Sequence, residues 1–239
     1  MRNFTGTTRI LPAAAALGVL LIATLITVPL VMAHHGHGTN TTGTRPNPAT
    51  DPSPAPTGAV TLVQGSQATD GIELGYPHTI IGAISAAADY LDAVASTLDP
   101  DYAASLMRTA GDPANTALPT DLAHSTVLLR GDLQLPTNGP LPAPVSFQTT
   151  AQMYQLRNVG TDSVLVLLLT SNTFINARGG SAQTMGVYPV KMHWTGGDWR
   201  LAAVGGTGQD YSGLAATPDT SAAVAQGWLA LVPATGGAS

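Results

Sequence analysis

Apolar positions along the chain fall into one long uninterrupted run, a polar stretch, and a region of helical and then alternating spacing. The run extends from Ile10 to Ala33 and contains no charged residue. A helix of that length would be about 36 Å long, enough to cross a hydrocarbon core of about 30 Å. Arg2 and Arg9 precede it, and no basic residue follows before Arg45. The positive-inside rule predicts a cytoplasmic tail over 1–9, a transmembrane signal anchor over 10–33, and the remainder outside.

A cleaved signal peptide is the alternative interpretation of the same run. Val31 and Ala33 put small residues at the positions that a signal peptidase inspects, and cleavage after Ala33 would give a secreted protein. The apolar run is longer than the usual signal-peptide core, which favours the uncleaved anchor. Localisation is therefore expected at the cell membrane, with a single span and the C-terminal domain outside.

Residues 34–70 are rich in Thr, Pro, Gly and Ser and contain few large apolar side chains. Such a segment buries too little apolar surface to offset the entropy of ordering, so we expect a disordered tether. The short apolar run 59–63 could add a strand to the following domain. His34, His35 and His37 form a cluster that could hold copper after cleavage, but no rigid frame surrounds it. We favour the interpretation that these histidines are a polar flank of the membrane segment.

Helical spacing begins after Tyr76. Three helices are predicted between there and Gly139: one opened by His78 or Thr79, one by Asp99 and Pro100, and one after Pro119. In the first helix, residues recur at three- and four-residue steps and should form one apolar face: Ile81, Ile84, Ala88, Leu91 and Val94. In the second helix, Tyr102 and Leu106 are expected to face inward.

Strand-like spacing follows from Val145 onward. Long strands are predicted over 145–159, 163–174, 183–194 and 199–204, followed by a short closing helix within 222–232. The second of these contains a continuous apolar run, 164–169, which suits a strand covered on both faces. The segment 195–198, Thr-Gly-Gly-Asp, predicts the tight turn between the last two strands.

Helices followed by antiparallel strands indicate an α+β domain over residues 71–232, with a flexible tail over 233–239. The expected architecture is three helices packed on a curved antiparallel sheet of about four strands.

Several stretches resemble the nuclear-transport-factor-two-like, or cone, domains. They are "PHTIIGAISAAADYLDAV", "LDPDYAASLM", "SVLVLLLTSNTF" and "YPVKMHWTGGDWRL", the last of which resembles a closing hairpin with a "GDW" return. With its anchor and tether, the whole chain resembles the bitopic scaffold proteins of conjugation and type IV secretion machines. It also resembles uncharacterised membrane-anchored proteins of integrative elements in high-GC Gram-positive bacteria. Fold resemblance alone does not assign a function.

The amino-acid composition limits the kinds of binding and catalytic site that the chain can contain. Hydrophobic residues make up 44% of the chain and charged residues 10%, and the formal net charge is −5. This balance argues against a broad nucleic-acid-binding surface. The absence of cysteine excludes disulfides, thiol nucleophiles and Cys-ligated zinc. No phosphate-binding loop, dinucleotide-binding or hydrolase fingerprint is present, and no cofactor is expected.

A cone-fold enzyme would need ionisable groups pointing into the interior. The available groups are Asp89, Tyr90, Asp92, His124, Asp132, Tyr154 and His193. Helical periodicity places Asp92 on the solvated face of the first helix and Asp89 near the boundary between the solvated and apolar faces. Both are therefore interpreted as surface carboxylates. Strand alternation places His193 on the sheet face opposite Trp194, without a visible partner. Asp198 is expected to fix the hairpin turn.

The sequence therefore favours a non-catalytic, membrane-anchored extracytoplasmic scaffold that assembles a conjugative DNA-transfer or secretion complex. Its expected partners are other membrane or secretion-complex proteins, the lipid bilayer through residues 10–33, and further copies of itself. One alternative is a small-molecule-binding or dehydratase/isomerase-like cone enzyme that uses Asp89, Tyr90 and His124. The second alternative is a secreted protein with an N-terminal histidine copper site.

Overall fold

Helices come first along the chain and long strands follow, as the periodicity predicts. The computed structural model describes residues 55–205 and 209–234. The helices are α1 (Ile80–Ala95), α2 (Pro100–Ala110), α3 (Leu118–Asp132) and the short α4 (Ser221–Ala225). α1 lies on the sheet, α2 packs against α1 and an edge strand, and α3 packs on α2.

The strands form a six-stranded mixed sheet and a separate two-stranded hairpin. Their bounds are β1 (Val60–Thr61), β2 (Gln67–Thr69), β3 (Ile72–Leu74), β4 (Ser146–Arg157), β5 (Ser163–Ile175), β6 (Ser181–Thr195), β7 (Asp198–Val204) and β8 (Leu229–Val232). The large sheet has the order β1-β8-β4-β5-β6-β7, and β2 pairs with β3. The predicted α+β class is confirmed, and helices packed on this sheet are consistent with a cone fold. The sheet has more strands than expected, and β1 pairs in parallel with β8.

Two hydrophobic clusters bury both faces of the central strand β5. Val164, Val166 and Leu168 belong to the larger cluster, beneath α1. Leu165, Leu167 and Leu169 belong to a second cluster closed by Trp228 and Ala223. A strand that is covered on both faces has apolar residues at consecutive positions instead of alternating ones, which explains the apolar run 164–169.

The predicted starts of α1 and α2 are confirmed, whereas α3 begins at Leu118, before its predicted start after Pro119. The Thr79 side chain caps α1 by accepting a hydrogen bond from the Gly82 N–H. The Asp99 carboxylate caps α2 by accepting from Asp101 N and Tyr102 N, and Pro100 occupies the first helical turn.

Two side chains expected in the core are instead exposed. Ile81 is 38% exposed, whereas its neighbour Ile80 is buried, so the inner face of α1 begins one residue earlier than predicted. Tyr102 is 45% exposed, and its hydroxyl donates to the Asp70 carbonyl. The phenol therefore lies against the β2–β3 turn instead of the core.

The predicted hairpin between β6 and β7 is confirmed. Gly196 and Gly197 have φ values of 64° and 85° and form the two-residue loop. Two consecutive positive φ angles are what a type I′ turn requires, and glycine adopts them at no steric cost. Trp194 and Trp199 are register partners, and their rings contact edge to face with centroids 5.6 Å apart.

The segment before α1 is more ordered than the sequence indicates. The disordered tether was expected to extend to residue 70, but β1, β2 and β3 all lie between residues 60 and 74. Val60 is buried, and the Leu62 N–H donates to the Val232 carbonyl beside the β1–β8 pair. The apolar run 59–63 does add a strand, so the ordered domain begins before residue 60.

The closing helix expected within 222–232 is correct only in part. α4 ends at Ala225, and the following Leu229–Val232 forms β8, which pairs with Met153 and Tyr154 of β4. The predicted anchor over 10–33 lies outside the described residues, as do residues 235–239 of the predicted tail over 233–239. Within the described ranges, no helix combines the length and hydrophobicity that crossing a bilayer requires.

Candidate functional site

A stripe of four polar side chains runs along α1 and accepts backbone hydrogen bonds from the segments beside the helix. The stripe consists of Ser85, Asp89, Asp92 and Ser96. They accept, in that order, from Val63 N, Glu73 N, Ala151 N and Thr149 N, at 2.9, 3.0, 2.8 and 2.9 Å. The spacing of 85, 89, 92 and 96 places them on one side of the helix. Among the described residues, the backbone N–H groups beside α1 have no neighbouring strand on this side, and the side chains of the stripe serve as their hydrogen-bond acceptors.

Asp92 is half-buried and not on a solvated face, so the prediction for it is wrong, whereas Asp89 was predicted near the boundary and is also half-buried. Burial raises the pKa of Asp92 to about 7, although its hydrogen bond from Ala151 N acts in the opposite direction. Burial also raises the pKa of Asp89. Amphipathic periodicity failed here because the solvent side of α1 is occupied by β3 and the start of β4.

Replacing Asp92 with Asn should change how stability depends on pH. A carboxyl whose pKa is raised in the fold stabilises it below the unfolded pKa, and this contribution is lost as pH rises through about 7. Asn stays neutral and can still accept the Ala151 N–H. Denaturant unfolding from pH 5 to pH 8 should show a stability advantage of Asp92→Asn that grows as pH rises to about 7 and then levels off. We expect this advantage at pH 8 to exceed its value at pH 5 by about 2 kcal/mol.

The matched control is Asp101→Asn, which removes an exposed carboxylate in the first turn of α2. Its stability difference from the parent should stay flat over the same pH range. A flat difference for Asp92→Asn as well would show that Asp92 is ionised throughout.

The three residues proposed for a cone enzyme point to different places. Asp89 accepts from Glu73 N on β3, whereas the Tyr90 hydroxyl donates to the Trp199 carbonyl on β7 at 3.1 Å. Burial, followed by the charge of Asp198, raises the pKa of Tyr90 above its usual value. His124 is exposed on α3. The structure does not bring these three groups together.

The remaining candidates from the sequence also have structural partners or lie in solvent. The Tyr154 hydroxyl donates to the Gly58 carbonyl at 2.8 Å and ties β4 to the chain before β1. Asp132 ends α3 and is exposed.

Asp198 holds together segments that are far apart in the sequence, beyond the local turn role predicted for it. The carboxylate is buried and accepts from Gly75 N at 2.8 Å, Tyr76 N at 3.0 Å and Trp199 N at 2.8 Å. Arg200 lies 3.4 Å from the same carboxylate. The first residue of β7 therefore fixes the chain entering α1.

His193 has a partner that the sequence did not reveal. Its Nδ1 lies 2.8 Å from Oδ2 of Asp112, while the imidazole stays 43% exposed. Asp112 follows α2, and its N–H donates to the Leu201 carbonyl on β7. Burial acts against ionisation, but hydrogen bonds from His193 and Ala114 N hold the pKa of Asp112 below its usual value. The pair is a fixed, ionised carboxylate with an oriented imidazole.

A second histidine lies at the hairpin end of the sheet. His78 stacks on Trp194 with ring centroids 4.0 Å apart and planes within 5°. Its Nε2 lies 3.0 Å from the Asp162 carboxylate and 3.1 Å from the Thr161 carbonyl. The only sequence signal was the position of His78 just before the first helix.

Residues 55–205 and 209–234 contain no group of three or more His, Asp or Glu side chains that could hold a metal ion. His34, His35 and His37 lie outside those ranges.

Comparisons with known proteins give one distant structural similarity. No protein family profile matches the sequence, and no curated protein matches it. Among solved structures, the chain is similar to a Xanthomonas campestris protein assigned as a calcium/calmodulin dependent protein kinase II association domain. The identity is 14% and the TM-score 0.37, over 52% of this chain and 84% of that one. The chain is accordingly described by its own architecture, which is an α+β domain with helices packed on a mixed sheet.

Proposed function

We propose that this chain is a non-catalytic, membrane-anchored extracytoplasmic scaffold that helps to assemble a conjugative DNA-transfer or secretion complex. In this proposal its domain is a cone of the nuclear-transport-factor-two-like type. Residues 10–33 hold it in the bilayer, and the sheet makes the protein contacts. The observation that carries the proposal is an unpaired strand edge on β6.

β7 covers only one end of β6. β7 pairs with Val190–Thr195, whereas β6 begins at Ser181 and pairs with β5 from Ser181 to His193. Among the described residues, no strand pairs with the other edge of β6 between residues 181 and 188. A row of unpaired N–H and C=O groups is a template for adding a strand from a partner.

The hydrogen-bonding directions of this edge follow from two backbone hydrogen bonds of β6. Trp194 N donates to the Asp162 carbonyl, so even-numbered residues of β6 bond to β5. The Pro189 carbonyl accepts from Gly205 N, so odd-numbered residues face the other way. Pro189 therefore leaves the ladder with β5 intact, and Met185 directs its N–H and C=O outward.

The chemistry of the interior also favours a scaffold over an enzyme. The carboxylates of Asp89 and Asp92 and the hydroxyls of Tyr90 and Tyr154 hydrogen-bond to backbone groups. These side chains act as structural ties, whereas a general acid or base must reach a substrate proton.

Blocking the β6 edge should abolish assembly without unfolding the domain. Met185→Pro removes one outward N–H, as Pro189 already does, and should preserve the ladder with β5. In a donor strain lacking the native gene, we expect this variant to lower DNA transfer at least about tenfold, with normal membrane levels and thermal stability. Replacing residues 1–33 with a cleavable signal should abolish transfer in the same assay.

The matched control tests the enzyme alternative. Asp89→Asn with His124→Ala keeps the hydrogen-bond acceptor at residue 89 and removes both ionisable groups. Transfer at the parental frequency supports the scaffold. Loss of transfer in this double variant, with transfer retained in Met185→Pro, would reject the scaffold proposal in favour of the cone-enzyme alternative.

A further inference from the structure

A wide groove lies at the end of α1, away from the His78–Trp194 contact. Its volume is about 1040 Å³, and it is bounded by the end of α1, the start of α2, one side of α3, and the segment before β4. Its walls include apolar side chains of the size that packs against an alkyl or aryl group: Val127, Leu141, Val145 and Phe147.

Arg130 lies in the wall of this groove and is only 5% exposed. Its Nε donates to the Leu98 carbonyl, and its Nη1 donates to the carbonyls of Gly139 at 2.9 Å and Pro136 at 3.4 Å. These contacts fix the plane of the guanidinium. Within the described part of the chain, Nη2 has no hydrogen-bond partner, and no carboxylate lies within 4 Å of Arg130.

A buried guanidinium normally requires an anion. Carbonyl groups satisfy its hydrogen bonds but do not neutralise its charge, and an unpaired buried charge is costly. The two acidic side chains on the groove rim, Asp99 and Asp101, do not pair with it, and the Asp99 carboxylate is used to cap α2. The groove therefore combines a fixed, uncompensated positive charge with apolar walls.

We propose that this groove binds a small amphipathic carboxylate, an alkyl or aryl acid whose carboxylate accepts hydrogen bonds from the Arg130 guanidinium. Planar guanidinium and carboxylate groups match in geometry, and such charge-assisted hydrogen bonds are among the strongest in proteins. The hydrocarbon part packs against Val127 and Phe147, as in other sites with apolar walls and few polar groups. This site is separate from the β6 edge and does not depend on the proposed scaffold function.

The first test compares an acid with its neutral isostere. The full chain in nanodiscs is titrated with 3-phenylpropionate and with 3-phenylpropanamide, and binding is measured by ligand NMR against empty nanodiscs. We expect the carboxylate to bind at least about tenfold more tightly than the amide. Equal binding of the two, or no binding of the acid at millimolar concentration, would overturn the proposal without any variant.

The second test places a carboxylate on the protein itself. Residues 127 and 130 are neighbours on one side of α3, so Val127→Glu offers Arg130 an internal partner. Acid binding should weaken at least about tenfold, while the melting temperature stays the same or rises. The control is Leu128→Glu, which adds the same charge at a residue that is 55% exposed and does not line the groove. Unchanged binding in Val127→Glu, or an equal loss in both variants, would refute the site.

Discussion

Replacing Asp198 with Ala should cost about 3–5 kcal/mol of unfolding free energy, among the largest effects of a single polar substitution in this domain. Three backbone N–H groups, those of Gly75, Tyr76 and Trp199, would lose their acceptor. Arg200 would lose its carboxylate partner at 3.4 Å. Buried donors left without acceptors cost more than the net value of the bonds they made. Urea unfolding followed by circular dichroism would measure the loss.

Two matched variants show whether the effect comes from the buried acceptor. Asp198→Asn keeps one carbonyl oxygen and should lose clearly less stability than Asp198→Ala. Asp162→Ala removes a carboxylate that is 60% exposed and paired with His78, so it should cost no more than about 1 kcal/mol. Similar losses in Asp162→Ala and Asp198→Ala would show that Asp198 has no special role.

Asp198 also illustrates what local sequence patterns could and could not predict. The two glycines before it predict a tight turn, because only one common turn type suits a two-residue loop with positive φ at both positions. The turn is found as predicted. The contacts of the Asp198 carboxylate with Gly75 and Tyr76, in contrast, join residues more than 120 positions apart in the sequence. No periodicity carries information over that separation.

The same limit applies to the candidate sites. His193 was correctly separated from Trp194 by strand alternation, but its partner Asp112 comes from the loop after α2. Asp92 was assigned to solvent because the rule that polar helix positions face water assumes nothing else packs there. Arg130 is a charged residue near a helix end, a position typical of solvent exposure, yet the segment 136–139 folds over it and buries it. In each case tertiary contacts override a local preference.

Chain segments with weak patterns were the least predictable. Residues 60–61 and 229–232 form strands that are too short to show alternation. Among the described strands, β1 joins the sheet only through β8, which in turn pairs with β4. The long strands and the capped helices were predictable because each shows several consistent signals within its own sequence.

Replacing Trp228 with Ala should also cost about 3–5 kcal/mol, because it removes the side chain that closes the second hydrophobic cluster. Trp228 is 1% exposed and packs with Leu165, Leu167 and Leu169 on the face of β5 away from α1. Its indole N–H donates to the Leu214 carbonyl at 2.9 Å. The substitution would expose the leucines of β5 to water and loosen the chain around residue 214. Thermal unfolding should show a melting temperature about 10 °C lower.

Two variants separate packing from the indole hydrogen bond. Trp228→Phe keeps most of the apolar area but loses the N–H and part of the ring system, so it should cost about 1–2 kcal/mol, less than Trp228→Ala. Val224→Ala, at a neighbouring residue of α4 that is 63% exposed, should be nearly neutral. Hydrogen exchange adds a spatial readout: the Ala variant should lose protection first in residues 229–232, which follow Trp228 directly. If Trp228→Ala is no less stable than Val224→Ala, the C-terminal segment does not cover the sheet in solution. The continuous apolar run of β5 would then need another partner, and a second protein subunit would be the natural one to test.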